Sequence, residues 1–258
     1  MFYIDLLFIL ILLSSQISEN NLGFFKVFYK DFKGTISSPF RWKLKDWLYA
    51  GLIIGVTLAL YKIDSNITSL IRHYIRPFTI TIAKMAKLCG DGNFLFISIS
   101  VFYICGIIFK NERAKKTALL CLESLLITAF FIQILKFSFH RHRPSSGDLF
   151  NTFDGPGLQG ANLAFPSGHA SAAFSVLSII ALEYSELPII PFLAYSIATL
   201  TALSRVHDNA HWASDVFFGG ALAFFIARNI IDSHKETVLP QGICSKIKGF
   251  LCLWKNKL

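Results

Sequence analysis

The chain has 258 residues, 25 Lys+Arg against 16 Asp+Glu and a net charge of +9; 53% of it is hydrophobic and only 16% charged. Soluble domains carry about 25% charged residues, so this charge cannot coat a soluble fold that also holds 26 Phe, 8 Tyr and 4 Trp. The composition equally excludes disorder, collagen and coiled coil, and an integral membrane protein is the remaining class.

Within residues 1–18, the stretch 2–13 is apolar enough for a signal peptide, but it lacks a preceding Lys or Arg and contains Asp5. Residues 1–18 read as an uncleaved anchor or interfacial helix, followed by a basic interfacial stretch up to residue 46. A helix crossing the ~30 Å hydrocarbon core needs about 20 mainly apolar residues. Six runs approach that length with their flanks: 47–61, 94–109, 117–139, 168–184, 188–204 and 212–231. Several contain Gly, Ser or Thr, which suit close packing between helices. Nothing alternates with period two, as a barrel strand would. The expected fold is all-α: a polytopic six-helix bundle over residues 47–231 and a basic tail over 232–258. Residues 66–88, with Arg72, Arg76, Lys84 and Lys87 among apolar residues, read as an amphipathic helix on the outer interface. Residues 246–258 read the same way on the inner side. The five scattered cysteines (Cys89, Cys105, Cys121, Cys244, Cys252) suggest neither a zinc site nor a disulfide.

The basic excess does not mark a nucleic-acid partner, because Lys and Arg fall mostly in short stretches between apolar runs. With 19–46, 110–116, 185–187 and the tail from Arg228 on one side, that side holds 16 Lys/Arg and the other 9. The more basic side faces the cytoplasm by the positive-inside rule. The opposite segments, 62–93, 140–167 and 205–211, then face outward.

Ionisable residues at membrane depth are costly and therefore functional candidates. Three clusters meet the outward side: Lys136 to Arg143 and Pro144; Pro166, Ser167, Gly168 and His169; and Ser204, Arg205, His211 and Asp215. Lys136, Arg143 and Arg205 supply positive charge, and guanidinium forks match phosphate oxygens. Ser167 is a good N-cap, and the N–H groups of Gly168 and His169 at a helix start would face an anion. His211 and Asp215, four apart, share a helix face. A carboxylate on one imidazole nitrogen frees the other to attack, while His169 protonates a leaving oxygen. Taken singly, these features have plainer readings as snorkelling cations, a helix start and a structural hydrogen bond. His73, His140, His142, His207, His234 and Asp208 keep such readings, as interfacial or loop residues.

Together the clusters resemble the type 2 phosphatidic acid phosphatase family: Lys, six residues, Arg-Pro; Pro-Ser-Gly-His; then Ser-Arg, five residues, His, three residues, Asp. All eleven fixed identities are present in order. The resemblance implies a six-helix membrane phosphatase that works through a phosphohistidine, without metal or cofactor. It implies His211 as nucleophile, Asp215 as its orienter and His169 as general acid, with Lys136, Arg143, Ser167, Gly168 and Arg205 holding the phosphate. Vanadium haloperoxidases share the pattern, but they are soluble. The implied substrate is a phosphorylated membrane lipid at the outer face of a bacterial-type inner membrane, such as a polyprenyl diphosphate, phosphatidylglycerol phosphate, phosphatidate or lipid A. Two alternatives stay open: a phosphotransferase passing the phosphate to another alcohol, and a non-catalytic headgroup-binding or transport bundle. A transporter should place its polar groups near the bilayer midplane, whereas these clusters lie at span ends. The loop 145–165 is expected to border the headgroup.

Overall fold

A computed structural model describes residues 21–157 and 163–238. They form eight α-helices: α1 (Asn21–Ile36), α2 (Leu44–His73), α3 (Pro77–Leu88), α4 (Gly92–Ile108), α5 (Glu112–Phe139), α6 (Gly168–Glu183), α7 (Ile189–His207) and α8 (Ala213–Val238). No strand occurs among the described residues, only one antiparallel bridge between Arg141 and Phe153. The expected all-α class holds. The segments 1–18 and 246–258, with Cys244 and Cys252, lie outside the described residues.

The chain divides into two units after Lys43. In the first, Phe24, Phe28 and Phe32 are spaced four apart along α1, with successive ring centroids 6.3 and 6.1 Å apart. Arg41 folds back to donate a hydrogen bond to the Gly34 carbonyl at 2.7 Å.

The second unit holds α2 to α8. Helices α2, α5, α7 and α8 are long and apolar enough to cross a membrane, and α3 with α4 forms a fifth candidate as a pair bent by 58°. Helix α6, at 16 residues, is shorter. The protein is thus an integral membrane protein, and its described residues hold four to five such spans rather than six that pass on length alone. Its apolar groups point outward: Leu52, Leu58, Ile97, Ile104, Phe192 and Leu203 are all exposed, as lipid contact requires.

One sequence expectation is corrected. Residues 66–88 are not a single interfacial helix, because residues 66–73 continue α2 and a new helix starts at Pro77. Proline disfavours helical backbone in the residue before it, and Arg76 is accordingly extended, with φ −138° and ψ 159°. Cys89, Cys105 and Cys121 are free thiols.

Helix α6 packs against α5, α7 and α8, while α3 packs on α7, α2 on α8 and α4 on α5. Small residues allow the close approach: Ala170, Ala173, Ser171, Ser175 and Ala181 are buried along α6. Ser124 of α5 donates to the Ser175 carbonyl at 3.0 Å. A Cβ at Gly220 would lie 2.8 Å from the Phe174 ring. This arrangement brings the ends of α5 and α7 and the starts of α6 and α8 to one end of the bundle.

Candidate active site

Lys136 lies in the last turn of α5, which ends where His140 adopts a left-handed conformation (φ 42°) and its N–H returns to the Lys136 carbonyl at 3.0 Å. The chain then doubles back on itself. His142 N–H donates to the Thr152 carbonyl at 3.0 Å, Asp154 N–H to that of His140 at 3.2 Å, and Ala164 N–H to that of Arg141 at 2.9 Å. Arg143 caps a short 3-10 turn, Pro144–Ser146. His142 is more engaged than a plain loop residue, since its two ring nitrogens meet Asp148 at 2.7 Å and Asp154 at 2.8 Å. A neutral ring can donate to only one of them. These contacts accordingly raise its pKa, led by the bond to Asp148.

Ser167 is the N-cap of α6: it is fully buried, and its Oγ accepts the Ala170 N–H at 3.4 Å. Its own N–H donates to the Asp215 carbonyl at 3.0 Å, which ties the start of α6 to α8. Gly219 completes that contact, since a Cβ there would lie 2.8 Å from the Ser167 carbonyl oxygen. The first N–H groups of a helix have no intrahelical acceptor, and those of Gly168 and His169 begin α6. A Cβ on Gly168 would sit 3.8 Å from Lys136 Cε, so helix start and ammonium stem are neighbours.

Arg205 is in the last turn of α7, and the following loop wraps around it. The Ala210 and His211 N–H groups reach the Arg205 carbonyl at 3.0 and 3.3 Å, and its guanidinium donates to Asp208 at 2.9 Å. Asp208, read from sequence as a plain loop residue, is thus a partner of the site. The expected residues come together. His211 lies within electrostatic reach of Lys136 and Arg143, His169 of Arg205 and His211, and Arg205 of Arg143. Lys136 Nζ donates to the Leu163 carbonyl at 2.5 Å.

Three nitrogens at this end of the bundle are buried without a hydrogen-bond partner: Arg143 Nε, Arg205 Nε and His169 Nε2. Buried polar atoms are normally paired. Nitrogens on two cations and an imidazole, beside a lysine and a helix start, suit an oxyanion and not a metal cation, which needs carboxylate or carbonyl ligands.

His211 is 4% exposed, and its contacts differ from the expected dyad. Its Nδ1 lies 2.7 Å from the Ala164 carbonyl oxygen but 3.8 Å from Asp215 Oδ2, too far for a hydrogen bond. A carbonyl can only accept, so Nδ1 carries the proton and Nε2 keeps its lone pair. Burial pushes the imidazole pKa down to about 4 against the upward pull of the nearby Asp215, and Lys136 and Arg143 act in the same direction as burial. The ring is therefore neutral at pH 7. Both Asp215 oxygens are engaged elsewhere, Oδ2 accepting the Trp212 N–H at 2.9 Å and Oδ1 meeting Arg141 Nη1 at 2.5 Å. Arg141 and its second partner, Asp64 in α2, were not among the residues singled out from sequence. The available signal was helical spacing: Thr57, Asp64 and Thr68 are all buried along α2 and lie seven and four apart, on one face.

Among known protein families, the PAP2 superfamily matches residues 117–237. This PAP2 segment contains all eight expected site residues, from Lys136 to Asp215, and leaves Asp64 outside it. Over 92 residues, covering 35% of this chain, it is 38% identical to lipid A 1-phosphatase of Porphyromonas gingivalis; that match spans only 18% of the relative. Two solved structures share the fold. The transmembrane PAP2-type phosphatidylglycerolphosphate phosphatase of Bacillus subtilis aligns at TM-score 0.54 and 20% identity, over 73% of this chain and 96% of that one. Aquifex aeolicus LpxE aligns at 0.52 and 21%, over 66% and 95%.

Proposed function

We propose that the protein is a membrane lipid phosphatase that hydrolyses a phosphomonoester or diphosphate of a lipid through a phosphohistidine on His211. The observation that carries this reading is the trio of buried, unpartnered nitrogens on Arg143, Arg205 and His169 beside a neutral His211. The PAP2 assignment and the likeness to lipid A 1-phosphatase support the lipid phosphate as substrate.

Lys136, Arg143 and Arg205 hold the phosphate oxygens together with Ser167 and the N–H groups of Gly168 and His169. Their donors tighten as negative charge builds up in the transition state, the general route by which preorganised groups lower a barrier. His211 Nε2 attacks phosphorus in line, and the Ala164 carbonyl stabilises the Nδ1 proton as the ring becomes positive. His169 gives a proton to the departing lipid oxygen. A water, deprotonated by His169, then attacks the phosphohistidine to release inorganic phosphate and free His211. Asp215 holds the helix start behind His211. Phosphate is neutralised here by protein cations, so the reaction uses neither metal nor cofactor. The charge asymmetry of the chain supports a site at the outer face of a bacterial-type inner membrane.

The deciding measurement is phosphate release by detergent-purified protein from lipid A, phosphatidylglycerol phosphate, phosphatidate and a polyprenyl diphosphate. Release that survives EDTA and is blocked by vanadate, which mimics the five-coordinate transition state, is the expected result. Release from none of these lipids would leave a headgroup-binding bundle instead.

A further inference from the structure

Arg141 is 1% exposed, and all three of its guanidinium nitrogens are engaged. Nη1 donates to Asp215 Oδ1 at 2.5 Å and to Ser214 Oγ at 2.7 Å; Nη2 donates to Asp64 Oδ2 at 2.8 Å and to the Phe150 carbonyl at 2.8 Å; Nε donates to that carbonyl at 3.1 Å. The rings of Tyr61 and Trp212 lie 4.9 and 5.4 Å from its Cζ. Asp64 is fully buried and also accepts the Ser214 N–H at 2.9 Å. One guanidinium therefore joins the first span, the doubled-back loop and the start of α8.

Its backbone acts as well as its side chain. The Arg141 carbonyl accepts the Ala164 N–H at 2.9 Å, and the Ala164 carbonyl faces His211 Nδ1 at 2.7 Å. The side chain of Arg141 thus holds Asp215, while its backbone holds the group that faces His211. Buried ion pairs cost desolvation and are weak devices for stability alone. An arginine and two carboxylates inside an apolar bundle are better explained by what they position.

We infer that Asp64 and Arg141 are positioning residues for His211: the Asp64–Arg141–Asp215 chain keeps the Asp215 carboxylate back from the imidazole, and leaves Nδ1 to Ala164 and Nε2 to the phosphate. The inference rests on the reading of His211 as nucleophile. Neither residue belongs to the phosphate-holding set, so their loss acts on turnover rather than on affinity.

The test compares wild type, Arg141→Lys and Asp64→Asn as purified full-length protein in detergent, with nitrophenyl phosphate as substrate. Lysine keeps the charge but not the fork that spans two carboxylates. Small misplacements of a reacting group cost about 10²-fold in rate. Arg141→Lys is expected to lose about 10²-fold in kcat with KM within about threefold, and Asp64→Asn about tenfold. A second readout needs no turnover: diethylpyrocarbonate modification of His211, mapped by mass spectrometry across pH. The ionisable groups facing His211 are Asp215, Lys136, Arg143 and His169. In Arg141→Lys the released Asp215 closes on the ring, and the midpoint of modification moves to higher pH. A purely structural role would lower the melting temperature without moving that midpoint.

Variants that melt as wild type and keep its kcat and midpoint overturn the inference. If Arg141→Lys does not fold, Asp64→Asn decides on the same readouts, because asparagine keeps the size and one acceptor for Ser214. Failure of both to fold assigns the pair to structure and also overturns it. A wild type that cleaves neither nitrophenyl phosphate nor any lipid phosphate defeats the phosphatase reading instead, while the modification midpoint still reports whether Arg141 sets His211.

Discussion

His211 Nδ1 faces the Ala164 carbonyl at 2.7 Å, so the ring that lies among the site's cations is fixed in the tautomer whose Nε2 is free. Its pKa, held near 4 by burial, bears on the pH dependence of the attacking step. If the neutral ring attacks, the rapid-mix burst from nitrophenyl phosphate, whose leaving group needs no proton from His169, should slow only below about pH 4 as His211 takes up a proton. The sign for stability follows from the same shift. An unfolded histidine titrates near 6.5 and binds the proton first, so the melting temperature in detergent should drop as pH falls from 6.5 towards 4 and level off below. A burst-rate profile with its acid limb near 6.5 would mean that His211 is solvated and not positioned as described.

Two glycines in different settings give a packing test. At Gly219 a Cβ would meet the Ser167 carbonyl at 2.8 Å, and backbone cannot move aside as a flexible side chain can. Gly219→Ala should cost about 1–3 kcal/mol of stability, in the usual range for overpacking. It should also lower kcat if α6 holds the phosphate as proposed, because the carbonyl pushed aside belongs to the N-cap of that helix. At Gly55, in α2, nothing lies within 4 Å of the added Cβ. Gly55→Ala should therefore leave kcat unchanged and, by helix propensity, not lower the melting temperature. Thermal melting and turnover of both variants check the contrast.

What sequence conveyed and what it withheld divide along physical lines. Helical runs and the three clusters at span ends were legible because apolar length and charged residues at span ends are properties of consecutive residues. The role of Ser167 as N-cap was legible for the same reason. Asp64 was not: the run 47–61 stops at Lys62, and only the continuation of α2 to His73 shows that this carboxylate stays inside the bundle. Arg141 sits two residues before Arg143, and nothing in the spacing says that one is wrapped by carboxylates while Nε of the other is left unpartnered. The His211–Asp215 spacing suggested a direct bond. The Trp212 N–H and Arg141 take the carboxylate instead, because the start of α8 needs a cap.

The orientation of the site in the membrane can be tested at Ser146. It lies in the exposed turn after Arg143, on the loop that leads from the end of α5. A Ser146→Cys variant in an otherwise cysteine-free protein should react with a membrane-impermeant maleimide in intact cells. The basis is the excess of Lys and Arg on the opposite side, 16 against 9. Reaction only after permeabilisation would place the site in the cytoplasm and limit the substrates to lipids whose phosphates face inward.

The last prediction separates the two histidines by the bond each one serves. If His211 attacks phosphorus, His211→Ala removes the group that forms the covalent intermediate, and turnover should vanish on every substrate. His169, whose Nε2 is buried and unpartnered, is proposed to have the other task of protonating the oxygen that leaves. A lipid alkoxide is a poor leaving group without that proton, and general acid catalysis is worth about 10²–10⁴-fold. Nitrophenolate departs unprotonated. His169→Ala should therefore lose most of its activity on lipid phosphates, yet still phosphorylate His211 from nitrophenyl phosphate. Its steady state will be slow all the same, since water attack on the phosphohistidine also uses His169 as base. The informative measurement is thus the rapid-mix burst of nitrophenol, near one equivalent per enzyme. It should be present in wild type and in His169→Ala and absent in His211→Ala, and a burst that persists in His211→Ala but disappears in His169→Ala would exchange the two roles.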